Sequence, residues 1–268
     1  MIYKVQGEPL YAYTGGKTFD PAKPTAVFIH GVLNDHSVWI LQTRHFAHHG
    51  WNVLAIDLPG HGRSGGKAPE SVEDAAECLV QLLDAVGVQK AVLIGHSFGS
   101  LIALHAAAQL ADRVTQLVLV GTAYPMRVSP ALLESSLNDP QNAIQMVNIF
   151  SHSTLAPPPS ALGPGTWLLG GSKALMRRVL ASNPHENIFH IGFKACDQYD
   201  QAKEAMSKVA CPTLFLLGQK DQMTHPKGAQ SLIQIAKNAQ VVFVNAGHQL
   251  MVEAPEETLK ALIHFCQK

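Results

Sequence analysis

One serine in the sequence has surroundings that are typical of an enzymatic nucleophile. It lies in the pentapeptide Gly95-His96-Ser97-Phe98-Gly99, between an apolar strand over residues 91–94 and an apolar helix that begins at about Phe98. A nucleophile on so sharp a turn holds a strained backbone, and glycines two residues away on each side prevent clashes. The turn raises the Ser97 hydroxyl above the carboxyl ends of the strands, and the helix N-terminus adds a positive dipole. A glycine-rich turn with a capping serine is the alternative interpretation, and the strand–helix context favours the nucleophile.

Two later residues have the types that a serine nucleophile needs. A serine hydroxyl requires a base to take its proton, and the base requires an acid that orients it. Asp221 follows a predicted strand over residues 213–217, and His248 follows a predicted strand over residues 241–244. Both stand at the carboxyl ends of strands, on the edge where we expect Ser97. The sequence therefore predicts a catalytic triad of Ser97, His248 and Asp221.

Acyl transfer to a serine also needs donors for the developing oxyanion. The backbone N–H of Phe98 follows the nucleophile and is one predicted donor. We expect the second donor in the loop after the predicted strand over residues 26–30, which reads His30-Gly31-Val32. Val32 is the preferred residue, with Gly31 allowing the loop to fold inward. Leu33 stays open as the competing donor.

Predicted strands and helices alternate along the chain around these residues, with one interruption. Short apolar runs without alternation indicate strands buried on both faces, as in a mostly parallel sheet flanked by helices. After residue 123 this order gives way to a stretch rich in proline and glycine with helical segments, and strands resume at Thr213. We therefore predict an α/β fold with one core domain over residues 1–123 and 209–268, and a helical insertion over residues 124–208.

Several segments stand out together: Val27-Phe28-Ile29-His30-Gly31 with Trp39 downstream, Asp57-Leu58-Pro59-Gly60-His61-Gly62-Arg63-Ser64, Gly95 to Gly99, Gly218 to Asp221, and Gly247-His248 followed by Glu253-Ala254-Pro255-Glu256. In combination, these segments resemble the α/β-hydrolase superfamily over essentially the whole chain, and in particular its capped, small serine carboxylesterase-like branch. That resemblance implies the α/β-hydrolase fold and a helical cap formed by residues 124–208. It also implies the order nucleophile, acid, histidine, which makes Asp57 a second choice because it precedes Ser97.

The expected activity is hydrolysis of carboxylic esters of small to medium, largely hydrophobic substrates. Haloalkane dehalogenases and epoxide hydrolases of this type carry aspartate where Ser97 stands, so their activities are not expected. Cleavage of C–C bonds in diketones, or hydrolysis of enol-lactones, is the alternative, because the resemblance implies the same triad and cap. A non-catalytic small-molecule receptor on this fold is a further alternative from another class of protein.

Several residues are candidates for substrate contact. Three arginines, Arg127, Arg177 and Arg178, either bind a substrate carboxylate or point to solvent, and solvent is the favoured interpretation. The predicted pocket residues are Gly31, Leu33, His96, Trp39, Tyr124 and Trp167.

Composition excludes other kinds of protein. With 20 Lys+Arg and 20 Asp+Glu the formal net charge is zero, which removes the electrostatic basis for a nucleic-acid or acidic-membrane partner. The four cysteines form no metal-binding or disulfide pattern, and His45, His48 and His49 lack accompanying ligands, so no metal is expected. No dinucleotide or phosphate motif indicates a cofactor.

The N-terminal residues do not have the pattern of a targeting signal. The first ten residues mix Lys4, Gln6 and Glu8 with apolar residues, unlike the apolar core of a signal peptide. We therefore expect a cytoplasmic protein with a small-molecule ester as its partner, and a homodimer through the cap or an edge strand stays open.

Overall fold

The core of the protein is a twisted sheet with the strand order β1-β2-β4-β3-β5-β6-β7-β8. The computed structural model describes residues 1–153 and 167–267. Strands β1 and β2 pair antiparallel with each other and β2 pairs antiparallel with β4, whereas every pairing from β4 to β8 is parallel. The strands are β1 (Ile2–Val5), β2 (Glu8–Tyr13), β3 (Thr25–Ile29), β4 (Asn52–Ile56), β5 (Ala91–His96), β6 (Val114–Val120), β7 (Thr213–Gly218) and β8 (Ala239–Val244).

Helices cover both faces of this sheet, because β3 to β7 are apolar on both sides. Helices α2, α3, α8 and α9 contribute to the hydrophobic cluster on one face, and α1 and α11 contribute to the cluster on the other. The helices of the described residues are α1 (Ile40–His48), α2 (Val72–Val86), α3 (Phe98–Leu110), α4 (Pro130–Asn138), α5 (Pro140–Ser151), α6 (Leu168–Ser182), α7 (Ile188–Gln198), α8 (Ala202–Lys208), α9 (Gln230–Ile235), α10 (Leu250–Glu253) and α11 (Pro255–Cys266). Within the described residues, none of them is long and apolar enough to span a membrane.

Within the described residues, five helices, α4 to α8, lie between β6 and β7, and we call α4 to α7 the inserted helices. They build a third hydrophobic cluster that includes Ile144, Met176 and Phe189, and the loop after β3 contributes Leu33 to it. Helix α8 instead packs beside α3. Its buried residues Ala205 and Met206 belong to the same hydrophobic cluster as α2, α3 and α9, against one face of the sheet. Residues 154–166 of the predicted insertion lie outside the described residues.

The predicted α/β-hydrolase fold, with its mostly parallel sheet and flanking helices, is confirmed. Local signals also located element ends well. Ser71 accepts a hydrogen bond from Asp74 N–H at the start of α2, and Gly87 closes that helix in the left-handed conformation with φ 78°. The antiparallel β1–β2 hairpin was not anticipated, because its alternating polar residues do not form an apolar run.

Candidate active site

Ser97 lies between β5 and α3 with φ 53° and ψ −119°, a conformation that costs a non-glycine residue free energy. Its N–H donates to Val120 O at 2.9 Å, which fixes the turn to the neighbouring strand. The helix can begin this abruptly because two glycines stand close to other backbone. A methyl group on Gly95 would overlap the Gly99 carbonyl, and one on Gly99 would lie 2.6 Å from His30 O. Glycine is therefore required on both sides of Ser97 for steric reasons.

Asp221 and His248 are brought together by the loops after β7 and β8. His248 Nδ1 donates to Asp221 Oδ2 at 2.8 Å, and both residues are buried. The other carboxylate oxygen, Oδ1, accepts from the N–H groups of Met223 and Thr224, each at 2.8 Å. Burial alone would raise the pKa of Asp221. The charge of His248 and the hydrogen bonds from His248 and Thr224 outweigh it and hold that pKa below its ordinary value. Asp221 is thus an anion that fixes the imidazole tautomer and leaves His248 Nε2 available.

The loop that carries His248 is held from three sides. His248 N–H donates to Ser151 O at the end of α5 (2.7 Å), and His248 O accepts from His96 Nε2 (2.9 Å). One carboxylate oxygen of Glu253 accepts from Gly247 N–H at 3.1 Å, and the other accepts from Ser153 N–H at 2.8 Å. The inserted helices therefore contribute directly to the position of His248. Sequence reasoning missed this role of Ser151 and Glu253, although Glu253 lies in a segment that carries the family resemblance.

Ser97 and His248 line one cavity between the sheet edge and the inserted helices. It is small, with about 20 Å³ available to the centre of a water molecule, which is room for about one water. No hydrogen bond joins the two side chains among the described residues, a common state of such pairs without substrate. The cavity is lined by Gly31, Val32, Asn34, His96, Ser97, Val147, Ser151, Met176, Phe193, His248 and Gln249.

The two predicted oxyanion donors lie on the site side of the sheet. Phe98 is the first residue of α3, so its N–H has no partner within the helix. Val32 lines the cavity, whereas Leu33 is fully buried in the cluster of the inserted helices. Val32 stays the preferred second donor, and Leu33 stays the alternative.

The other predicted pocket residues divide into two groups. Gly31 and His96 line the cavity, but Trp39 and Tyr124 do not belong to its described lining. Trp39 is instead fully buried against Phe28, with ring centroids 5.4 Å apart. The Tyr124 hydroxyl donates to Asp200 O at 2.5 Å, so it is bound to the segment that follows α7. Trp39 and Tyr124 therefore lie outside this cavity. Its apolar lining comes instead from Val147, Met176 and Phe193 on the inserted helices, which the sequence did not single out.

Trp167 lies at a second depression, a groove of about 420 Å³ between α6 and the core, and its side chain is exposed. Asn34 and Gln249 line both the groove and the cavity over Ser97, so the two spaces are neighbours. A larger depression of about 630 Å³ lies at the amino ends of the strands, around Ala91 and Thr115, and has no part in this site.

One cluster of the described residues has the donor types of a metal site, but its atoms are already engaged. Ligand atoms of Asp35, His36 and Asp57 lie within 4.8 Å of one another. Asp57 Oδ1 accepts from His36 Nδ1 at 2.7 Å, and Oδ2 accepts from Arg63 N–H at 2.9 Å. Asp35 Oδ2 accepts from Arg178 Nη2 at 2.6 Å. The cluster is a hydrogen-bonded network that ties α6 to the core.

Buried histidines surround the site in neutral form. His30 Nδ1 lies 2.8 Å from Gly31 O, and its Nε2 accepts from Leu58 N–H at 3.1 Å, so a second proton would break the latter bond. Burial, assisted by the nearby His30, lowers the pKa of His61 to about 4. Burial, assisted by His248, lowers the pKa of His96 to about 3. In each of the three rings burial lowers the pKa below the ordinary histidine value and so favours the neutral form.

Comparison with known proteins agrees with this architecture. A family model described as the alpha/beta hydrolase fold matches residues 24–157, half of the chain, and the chain therefore belongs to that family.

Relatives of this chain include hydrolases of different bonds. A 2-hydroxy-6-oxononadienedioate/2-hydroxy-6-oxononatrienedioate hydrolase of Paraburkholderia phymatum is 27% identical, covering 91% of this chain and 87% of the relative. A pimeloyl-[acyl-carrier protein] methyl ester esterase of Vibrio atlanticus is 26% identical, covering 91% and 95%. An esterase structure from Exiguobacterium antarcticum has a TM-score of 0.84 over 100% of this chain and 99% of its own, at 18% identity. At this identity, the likeness to the Exiguobacterium antarcticum esterase shows a shared fold and nothing more.

The strain at Ser97 predicts a stability difference between two variants. Both Ser97→Gly and Ser97→Ala remove the hydroxyl, but only alanine keeps the Cβ that is strained at φ 53°. We expect Ser97→Gly to have the larger free energy of unfolding, by about 1 kcal/mol, as measured by urea denaturation. An equal or lower stability of the glycine variant would show that the turn is not strained.

The neutral histidines predict a loss of stability in mild acid. The unfolded chain binds protons near the ordinary histidine pKa of 6.5, whereas folded His61 and His96 stay neutral down to about 4 and 3. The free energy of unfolding is therefore fully present above pH 6.5 and falls as the pH drops toward 4, by about 1.4 kcal/mol per pH unit for each such histidine. Urea titrations from pH 7.5 to 4.5 measure this slope, and His61→Gln reduces it. A flat profile would contradict the neutral state of these rings.

Proposed function

We propose that the protein hydrolyses small carboxylic esters with an uncharged, largely hydrophobic acyl group, through an acyl-enzyme on Ser97. The observation that carries this proposal is the neutral lining of the cavity, which within the described residues contains no lysine, arginine, aspartate or glutamate. Residues 154–166 contain no charged residue either. A substrate carboxylate would be buried there without a cation, which is costly.

The three arginines of the insertion support the same proposal, because each is engaged away from the cavity. Arg178 donates to Asp35 Oδ2 at 2.6 Å. Arg177 Nε donates to Gln141 Oε1 at 2.8 Å, and Arg127 Nη1 donates to Asp197 O at 2.6 Å. The relative from Paraburkholderia phymatum acts on a dioate, whose two carboxylates would call for cations that this lining does not offer.

The reaction follows from the roles of the three residues. His248 Nε2 takes the Ser97 proton as the Ser97 oxygen attacks the ester carbonyl, and the N–H groups of Phe98 and Val32 hold the oxyanion. His248 then gives that proton to the leaving alkoxide as the C–O bond of the ester breaks. Water then attacks the acyl-enzyme carbonyl and loses a proton to His248. His248 returns that proton to the Ser97 oxygen as the bond between Ser97 and the acyl group breaks, which frees the acid and the Ser97 hydroxyl. Asp221 stays ionised and holds the imidazole in place throughout.

The inserted helices serve as a cap over this chemistry. Val147, Met176 and Phe193 of α5, α6 and α7 form the apolar wall opposite Ser97. Because the closed cavity holds about one water, an ester must displace this wall to enter. The groove of about 420 Å³ between α6 and the core is the neighbouring space that an apolar chain can occupy; Arg178 lines it too, with its guanidinium bound to Asp35 Oδ2.

Loss of the nucleophile tests the proposal. Ser97→Ala is expected to lower kcat/KM for p-nitrophenyl butyrate by about 10³-fold or more, since no other hydroxyl replaces it. Ser207→Ala removes a hydroxyl whose one hydrogen bond to the described part of the chain goes to the Glu204 carbonyl on α8, and it should leave activity unchanged. Equal turnover in wild type and Ser97→Ala would refute the proposal. Binding of esters without turnover in the wild type would favour a receptor.

The neutral cavity predicts discrimination between two esters of equal length. p-Nitrophenyl butyrate and the mono-p-nitrophenyl ester of succinic acid differ in a terminal carboxylate. We expect kcat/KM to favour the butyrate by about 10²-fold, because the carboxylate has no buried cation to pair with. Steady-state kinetics at pH 8 measure the ratio. Equal rates, or faster cleavage of a ring-fission diketone than of either ester, would favour the C–C hydrolase alternative.

A further inference from the structure

The side chain of Thr224 touches two of the three triad residues. Thr224 is buried in the loop after β7, three residues beyond Asp221. Its Oγ1 lies 2.8 Å from Asp221 Oδ2 and 3.0 Å from His248 Nδ1. The same oxygen lies 2.9 Å from Gly121 O, at the end of β6. One hydroxyl thus connects the loops that follow three adjacent strands, β6, β7 and β8.

The protons available at this junction limit how it is bonded. A hydroxyl has one proton and two lone pairs. The Gly121 carbonyl and the ionised Asp221 only accept, and His248 Nδ1 carries the proton that it donates to Asp221. Thr224 therefore donates to Gly121 O or to Asp221 Oδ2, and its lone pair faces the His248 Nδ1 proton. Both arrangements give that proton a second acceptor and restrict rotation of the imidazole.

We infer that Thr224 is a positioning residue whose hydroxyl holds the His248 imidazole and the Asp221 carboxylate in one plane, with His248 Nε2 directed at Ser97. The inference rests on the proposed acyl-enzyme function. The positioning matters most when His248 takes up the serine proton. The imidazolium Nδ1–H then faces two oxygen acceptors, Asp221 Oδ2 and Thr224 Oγ1. A ring free to turn would misplace Nε2, and small misplacements of a catalytic base cost large factors in rate.

The structure allows the hydroxyl to be tested separately from the rest of Thr224. The backbone N–H of Thr224 donates to Asp221 Oδ1 at 2.8 Å, and a substitution leaves that bond in place. Thr224→Val keeps the shape of the side chain and removes the hydroxyl, whereas Thr224→Ser keeps the hydroxyl. Thr43→Val is the matched control, because Thr43 of α1 is also buried and its Oγ1 donates to Trp39 O at 2.8 Å, outside the site.

The experiment compares kcat and KM of these variants with p-nitrophenyl butyrate. We expect Thr224→Val to lower kcat about tenfold or more with KM changed by less than about twofold, and Thr224→Ser to recover most of the rate. Thr43→Val should keep the wild-type kcat even if its stability falls. The downfield proton resonance of His248 Nδ1–H should shift in Thr224→Val and stay unchanged in Thr43→Val. If the valine variant does not fold, Thr224→Ala serves the same comparison.

A second readout separates the positioning role of Thr224 from the proposed acyl-enzyme function. A fluorophosphonate labels an activated serine without ester turnover, and its rate should fall in Thr224→Val by the same factor as kcat. A wild-type kcat and labelling rate in Thr224→Val would overturn the role of Thr224 while the proposed function stands. If the wild type neither hydrolyses the ester nor reacts with the fluorophosphonate, the proposed function itself fails, and the role of Thr224 in it fails too.

Discussion

The site depends on how closely the backbone of β5 approaches the first turn of α3. Gly95 faces the Gly99 carbonyl, and Gly99 faces the carbonyls of Ile29 and His30 at the end of β3, with no room for a Cβ at either position. This contact lets the helix begin one residue after the strand ends and forces Ser97 into positive φ. It also brings the loop after β3, with Val32, alongside the helix N-terminus. The positions of the proposed nucleophile and of both predicted oxyanion donors therefore follow from one steric constraint.

Parallel strand order supplies the rest of the site. Strands β5, β6, β7 and β8 are neighbours in the sheet, so the loops after them meet at a single edge. Ser97, Thr224, Asp221 and His248 all stand in those loops. Low accessibility then makes each hydrogen bond there stronger and each unpaired charge more costly, which explains why Asp221 is surrounded by donors and why His96 stays neutral.

Local signals allowed the sequence to predict the parts of the site that a short segment determines. The Gly-x-Ser-x-Gly pattern located Ser97 and the start of α3, and residues after apolar runs located Asp221 and His248. Contacts between distant segments were not visible in the same way. Ser151 O on His248 N–H, Arg178 on Asp35 and the burial of Trp39 on Phe28 join residues far apart in the chain, and no periodicity encodes them. The pocket wall of Val147, Met176 and Phe193 was missed because such residues also fill ordinary helix interfaces.

We propose that Ser97 becomes covalently acylated during turnover. The most direct test of this proposal is acid quenching of the enzyme during hydrolysis of p-nitrophenyl butyrate, followed by proteolysis and mass spectrometry of the peptide that contains Ser97. The mechanism predicts a butyryl ester on Ser97 that disappears when substrate is exhausted. Sustained hydrolysis with no acyl group on Ser97, or with the acyl group on another residue, would contradict it.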